Sequence, residues 1–193
     1  MTTRDRITTE AMELFGTQGY SATTIAQIEA ASGLSPGSGG LYKHFRSKEA
    51  VLEAGVRQRI EAPDALPALF AEIGGAGPPR DTLRAIAAAG LDRLDAERDL
   101  NRILVRDLAT FPALLALFRD GELARLHRGL TGALGALGLE NAAAASAVLI
   151  SAVSHYWLMS DVFGGAHPLG VGRDAFLDAI ADLAAASVTK GRS

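Results

Sequence analysis

The sequence predicts an all-α protein of about nine helices. Three observations carry that reading. Apolar residues recur at helical spacing over most of the 193 residues. Nowhere does a run alternate apolar and polar residues as a half-buried strand does. Clusters of glycine and proline, at 33–40, 63–79 and 164–172, separate the helical runs.

Taken in order, Ile7, Ala11, Leu14, Phe15 and Gln18 follow the i, i+4, i+7, i+8 pattern, so a first amphipathic helix covers residues 3–18. Gly19 ends it. Thr23 or Thr24 caps a second helix, with Thr24 and Gln27 at capping-box spacing, and Ile25, Ile28 and Ala31 face inward. Gly33 breaks that run. Ser35 and Pro36 form a start signal for a third, short helix, with serine at the N-cap and proline at the first helical position. A fourth begins at Ser47-Lys48-Glu49 and carries Val51, Leu52, Val56 and Ile60 on one face. From Pro63 to Pro79, four prolines and three glycines mark a broken helix and a connecting loop. Helical periodicity returns over 80–98, 101–110, 112–137 and 141–163. The stretch GGAHPLGVG, Gly164 to Gly172, is a loop. A last amphipathic helix carries Phe176, Leu177, Ile180, Leu183 and Ala184.

Composition removes several classes. With 48% hydrophobic and 21% charged residues the chain can bury a core and does not read as disordered. It has no cysteine, which excludes disulfides, thiolate chemistry and cysteine-ligated zinc and fits a cytoplasmic setting. The N-terminus turns amphipathic at once, without an apolar leader core. Residues 141–160 lack Asp, Glu, Lys and Arg, and about 20 such residues would cross a bilayer. Ser146, Ser151, Ser154 and His155 dilute the segment, and alanine supplies much of its apolar count. It is read as a helix buried within protein or between two proteins, with no membrane partner.

The four histidines lie far apart, and none is spaced from another histidine or a carboxylate as a helical metal pair. GSGG lacks the following lysine of a P-loop. No catalytic constellation, metal site or cofactor is predicted, and the chain is not read as an enzyme. The net charge of −3 argues against a wholly basic coat. Residues 1–48 nevertheless carry Arg4, Arg6, Lys43, Arg46 and Lys48 against Asp5, Glu10, Glu13 and Glu29, so a small DNA-reading head on an acidic body is permitted.

The run GLSPGSGGLYKHF, Gly33 to Phe45, needs an explanation, because each glycine inside a helix costs on the order of 1 kcal/mol relative to alanine. A helix, a glycine-containing turn and a short second element of small and polar residues make a helix-turn-helix. Small residues let the second element enter a major groove about 12 Å wide and bring backbone N–H groups to phosphates. Leu41 and Phe45 anchor the element, while Tyr42, Lys43 and His44 offer donors beside it.

The stretch YSATTIAQIEAASGLS followed by GGLYKHFRSKEAVL resembles the N-terminal domain of the TetR family of bacterial transcription regulators. The match covers about Gly19 to Leu52, and the subset it fits has a lengthened Pro-Gly-rich recognition element. The resemblance implies a DNA-binding helix-turn-helix domain at residues 1–47 and a ligand-binding and dimerisation domain at 48–193. It also implies DNA contacts from Thr24, Ser35, Gly37, Ser38, Gly39, Tyr42, Lys43, His44 and Lys48. Tyr42 and Lys48 would meet phosphates, though Tyr42 could instead be a core aromatic with its hydroxyl at the surface and Lys48 an ordinary exposed lysine. Lys43 reads bases or is merely solvated, His44 fixes the fold or touches DNA, and Arg4 and Arg6 clamp the backbone beside the groove.

Two departures from the family pattern bear on the site. SPGSGG adds about two residues, which leaves open which of Ser38, Gly39 and Gly40 meets a base. Glu29 stands where the family commonly packs alanine. A buried carboxylate is costly without donors. Either Glu29 accepts hydrogen bonds from serine or backbone N–H groups of residues 35–40, or it is solvated on a slightly rotated helix.

For the body, the resemblance implies a pocket among the middle helices for a small-molecule effector. Phe111, Phe118, Tyr156, Trp157 and Met159 would supply apolar lining, and Arg106, His127 or His155 polar handles. Each has core packing as its other reading. The two C-terminal helices would pair across a two-fold axis, with Ala142 to Ala147 and Ala152 permitting close approach. The resulting expectation is a cytoplasmic, homodimeric, ligand-responsive transcription regulator. It would act as a repressor that a small molecule releases from a pseudo-palindromic double-stranded DNA operator. The alternative is a helical small-molecule-binding protein whose DNA-binding head is vestigial.

Overall fold

The computed structural model describes residues 1–62, Phe70 and residues 77–188. Apart from Phe70 and Gly77 to Pro79, the loop expected between Pro63 and Pro79 lies outside the described residues. Among these residues nine α-helices follow one another: α1 (Thr3–Gln18), α2 (Ile25–Ala31), α3 (Lys48–Glu61), α4 (Pro79–Ala96), α5 (Arg98–Arg106), α6 (Pro112–Phe118), α7 (Ala124–Ala136), α8 (Ala142–Val162) and α9 (Arg173–Ala185). No sheet forms among them; the one extended pairing is an isolated bridge between Leu139 and Val188. The all-α expectation holds.

The chain divides into two compact units. The first comprises Met1–Pro63 with Glu97–Glu122, and the second Asp64–Ala96 with Leu123–Ser193.

In the first unit, local sequence sets the helix ends. Thr2 and Asp5 form a reciprocal capping box on α1, each side chain accepting from the other's backbone N–H. Those bonds hold the Asp5 carboxyl below the usual carboxylate range. Gly19, at φ 97°, closes α1 by donating to the Phe15 carbonyl. Thr24 and Gln27 make the second capping box, and Ser47 caps α3 through the Ala50 N–H. Ile7, Phe15, Ile28, Leu41, Leu52 and Ile103 form the fully buried centre of this unit. Gly16 lets α1 and α5 touch, since a Cβ there would lie 2.5 Å from the Asp99 Cα.

Three expectations are corrected here. Ala31 is exposed, and Glu29 and Ser32 take the inward positions beside Ile28. The helix expected from Ser35-Pro36 does not form: residues 35–38 make a turn, and a single 3-10 turn spans Gly40–Lys43. Gly37 at φ 73° and Gly39 at φ 75° hold left-handed conformations that an α-helix excludes. The continuous helix expected over 112–137 is interrupted by a π-turn at Arg119–Leu123. There Gly121 meets Ile60 so closely that a Cβ would lie 2.7 Å from the Ile60 Cγ2.

In the second unit, α4 and α9 are joined by a ladder of exposed ion pairs. Arg80 bonds Asp182 and Asp178, and Arg84 bonds Asp178 and Asp174. Beneath it, Leu83, Leu91, Leu134, Val153, Trp157 and Leu177 are buried together. Helix α8 is long and apolar enough to cross a membrane by length and composition, with a mean hydropathy of 1.4, and 22% of that window is buried within the chain. Its outward stripe is Ala144, Val148, Ser151, His155 and Val162, and Val148 is 67% exposed.

Candidate nucleic-acid interface

The reading segment hangs between α2 and α3. From α2, Glu29 is fully buried and its carboxylate accepts from Gly37 N (Oε2, 2.7 Å) and Leu41 N (Oε1, 3.0 Å). Its main-chain carbonyl accepts from Leu34 N at 2.8 Å. The reading in which Glu29 accepts backbone N–H groups of the lengthened segment therefore holds, with Leu41 one residue beyond the expected range. Ser38 is tied back to Ser35, whose carbonyl accepts both its N–H and its hydroxyl. Leu41 and Phe45 are buried and anchor the segment from below.

What remains on the surface is a small, polar and cationic face. Tyr42 is 58% exposed, and Ser35, Gly37, Ser38 and Lys43 are exposed with it. Gly39 and His44 are half-buried. Thr24 is exposed, with its hydroxyl engaged in the capping box. The Tyr42 hydroxyl and the Lys43 ammonium have no polar partner among the described residues. The same holds for Arg46, an exposed cation that motif reasoning passed over although it directly follows Phe45.

Three other cations expected near DNA are engaged by main-chain carbonyls: Arg6 and Lys48 are half-buried, whereas Arg4 is exposed. Arg4 donates to the His44 carbonyl at 2.5 Å and lies over the Phe45 ring, 3.9 Å from its centroid. Arg6 donates to the Ser32 carbonyl at 2.7 Å. Lys48 donates to the Tyr20 and Thr23 carbonyls at 2.8 and 2.7 Å and covers the Tyr20 ring at 4.3 Å. Burial pushes the Lys48 pKa down, against an upward pull from Asp107. Arg4 and Arg6 bind the two ends of the reading segment to α1, and Lys48 binds the start of α3 to the α1–α2 turn.

Two further residues support that turn from α5 and its end. Arg106 donates to the Phe15 and Gly16 carbonyls, and Asp107 accepts from Tyr20 N at 3.3 Å. Sequence alone gave no sign of these contacts, which span about ninety residues.

The residues expected to line a ligand pocket fall in both units. Arg106, Phe111 and Phe118 belong to the first, where Phe111 meets Tyr20 edge-on at 4.8 Å and Phe118 packs on the core. His127, His155, Tyr156, Trp157 and Met159 belong to the second. His127 Nδ1 lies 3.0 Å from the buried Ser146 hydroxyl. Tyr156 stacks between His167 and Phe176 and donates to the Val171 carbonyl. Trp157 is buried and donates to Asp95, Met159 is half-buried, and His155 is exposed. Among the described residues no three His, Cys, Asp or Glu side chains gather as a metal site.

The profile of bacterial regulatory proteins of the tetR family matches residues 7–54, the span that builds this face. The chain is 34% identical over 132 residues to the HTH-type transcriptional regulator TcmR of Streptomyces glaucescens; the match covers 68% of this chain and 44% of that relative's length. Among solved structures, a TetR-family regulator from Cytophaga hutchinsonii aligns with a TM-score of 0.71 at 17% identity, over 97% of this chain and 96% of its own. A transcriptional regulator from Rhodococcus sp. Rha1 gives 0.70 at 20% identity over 97% and 96%. The fatty acid degradation regulator FadR of Bacillus halodurans gives 0.64 at 18% identity over 95% of each chain. At these identities the structural likeness speaks for the fold alone. Profile, relative and fold agree, and the chain belongs to the TetR family of bacterial regulatory proteins.

Proposed function

We propose that this protein is a cytoplasmic, non-enzymatic transcription regulator that binds double-stranded DNA as a homodimer and leaves its operator when a small molecule binds. The observation that carries the reading is the exposed face of Ser38, Tyr42, Lys43 and Arg46 around the Gly37–Gly40 turn, with hydrogen bonds from Glu29, Arg4, Arg6 and Lys48 holding the turn and its flanks. Lysine and arginine without carboxylate partners suit phosphate neutralisation, and a segment without bulky side chains suits close approach to base edges. In this division residues 1–47 read DNA, and residues 48–193 bind the effector and the second subunit.

The dimer reading rests on two uncharged, exposed stripes. One is Ala144, Val148, Ser151 and His155 on α8; the other is Ala175, Ala179 and Leu183 on α9, where Leu183 is 76% exposed. A two-fold pairing of these stripes would cover apolar surface that a monomer leaves in water, and would set two reading heads on a pseudo-palindromic site. The effector acts only if it binds better to a conformer whose heads are wrongly spaced. Repression follows if the dimer occludes a promoter.

Selection of bound duplexes from a random pool, at fixed salt, tests the function. The expected product is a two-fold symmetric consensus whose affinity falls steeply with salt. A chain that binds no duplex above background would instead support the helical binding protein with a vestigial head.

A further inference from the structure

In a helical reading element the backbone ladder fixes the side chains. Here that ladder is reduced to the single 3-10 turn at Gly40–Lys43 and is missing ahead of it. Pro36 has no N–H, and Gly37 and Gly39 lie in the left-handed region. Leu41 N, which a helix begun at Pro36 would pair with the Gly37 carbonyl, instead donates to the Glu29 carboxylate. Three consecutive fixings of the segment, at Leu34, Gly37 and Leu41, all end on the single residue Glu29. No cation pairs with this fully buried carboxylate among the described residues, so its charge is met by backbone dipoles of the segment itself.

We infer that Glu29 sets operator specificity as a positioning residue: its two carboxylate oxygens, rather than an α-helical ladder, fix the turn that carries Ser38 and the 3-10 turn that carries Tyr42, and so where both stand against DNA. Ser38 lies between the two tethered residues, and Tyr42 follows the second. Moving either tether moves both. Glu29 is too deeply buried to touch DNA, so any change in sequence preference on its substitution acts through the segment. This inference rests on the DNA-reading function proposed above.

Glu29→Gln preserves shape but offers one acceptor oxygen and one N–H₂ group, so one of the two backbone N–H groups faces a donor. Glu29→Asp keeps the charge and is shorter by one methylene, so it cannot span both tethers. Each variant would be carried through the same random-pool selection, with folding checked by circular dichroism. The expected result is a relaxed or altered consensus and a specific-to-scrambled affinity ratio lower by about tenfold, the loss of one good base contact. Affinity for the scrambled duplex and its salt slope should stay near wild type, because Lys43 and Arg46 are untouched. A merely structural Glu29 would lower both affinities together and leave the ratio unchanged, and that outcome overturns the inference. Glu29→Asp carries the test if Glu29→Gln does not fold. If the wild type itself selects no sequence, the DNA-reading function fails; if the wild type selects and both variants select the same consensus at the same ratio, Glu29 alone is refuted.

Discussion

Lys48→Ala separates two roles that sequence motifs merge. The ammonium has three N–H donors, and two are engaged by the Tyr20 and Thr23 carbonyls. Only the third is left for a phosphate. Hydrogen bonds to a charged group contribute roughly 1.5–3 kcal/mol each when one partner is removed. The two here share one side chain, and the freed carbonyls regain some water, so the low end applies. The contact with the Tyr20 ring adds about 0.5–1 kcal/mol. The expected loss is therefore about 2–3 kcal/mol of unfolding free energy. Lys48→Met, which keeps the stem, should lose nearly as much.

Urea unfolding followed by circular dichroism reads that loss, and fluorescence anisotropy over a salt series reads the phosphate contact. If the third N–H meets a phosphate, the log–log salt slope on a selected operator should flatten by about 0.9 per bound site. Unfolding free energy unchanged within about 0.5 kcal/mol would refute the clamp, since surface lysines away from such contacts lie in that range. A destabilised variant with an unaltered salt slope would keep the clamp and remove the phosphate role.

Further predictions follow from packing and charge. Gly16→Ala should destabilise by about 1–3 kcal/mol despite alanine's better helix propensity, because the new Cβ meets the Asp99 backbone. Gly55→Ala should cost less than Gly16→Ala by the same urea titration, since its Cβ meets the Met12 side chain, Sδ at 2.4 Å and Cγ at 2.6 Å, and no backbone atom. Val148→Glu should convert a sedimenting dimer to a folded monomer, because Val148 is 67% exposed on the uncharged stripe; a dimer that persists would place the interface elsewhere. Arg84, chiefly by hydrogen bonding, holds the Asp178 carboxyl below its ordinary 3.8. The pair's contribution is then present above about pH 4 and lost as the pH falls through the lowered native value, so Asp178→Asn should flatten the acid limb of the stability curve.

What sequence reveals here is what local chemistry decides. The bounds of α1, the Thr24–Gln27 capping box, the Ser47 cap and the loop at 164–172 follow from residues within one turn of each boundary. The donors of Glu29 were legible as one of two readings: a buried carboxylate must find partners, and the glycine-rich segment could supply N–H groups, but a solvated glutamate on a rotated helix fitted the sequence equally well. Ser35-Pro36 misled as a helix start. It is a sound local signal, but two left-handed glycines follow it within three residues, and their conformation outweighs the cap. Ala31 misled for a related reason: periodicity counted the apolar side chain, whereas the tethering of the segment turned Glu29 inward. Long-range polar contacts left no local trace at all.

Those contacts also explain why a motif boundary and a compact unit need not coincide. The resemblance implies a DNA-binding domain that ends at residue 47. The compact unit continues through α3 and takes in Glu97–Glu122. The end of α1 and the turn after it present main-chain groups that can take further partners. Arg106 covers the Phe15 and Gly16 carbonyls, Asp107 takes the Tyr20 N–H, and Lys48 takes the Tyr20 and Thr23 carbonyls. Helix α2 starts directly from this turn and carries Glu29, and Glu29 carries the reading segment. The placement of Ser38 and Tyr42 thus depends on residues about seventy positions away. A displacement of α5 against α1 would reach the reading segment through these few polar bonds, without any change in the segment itself.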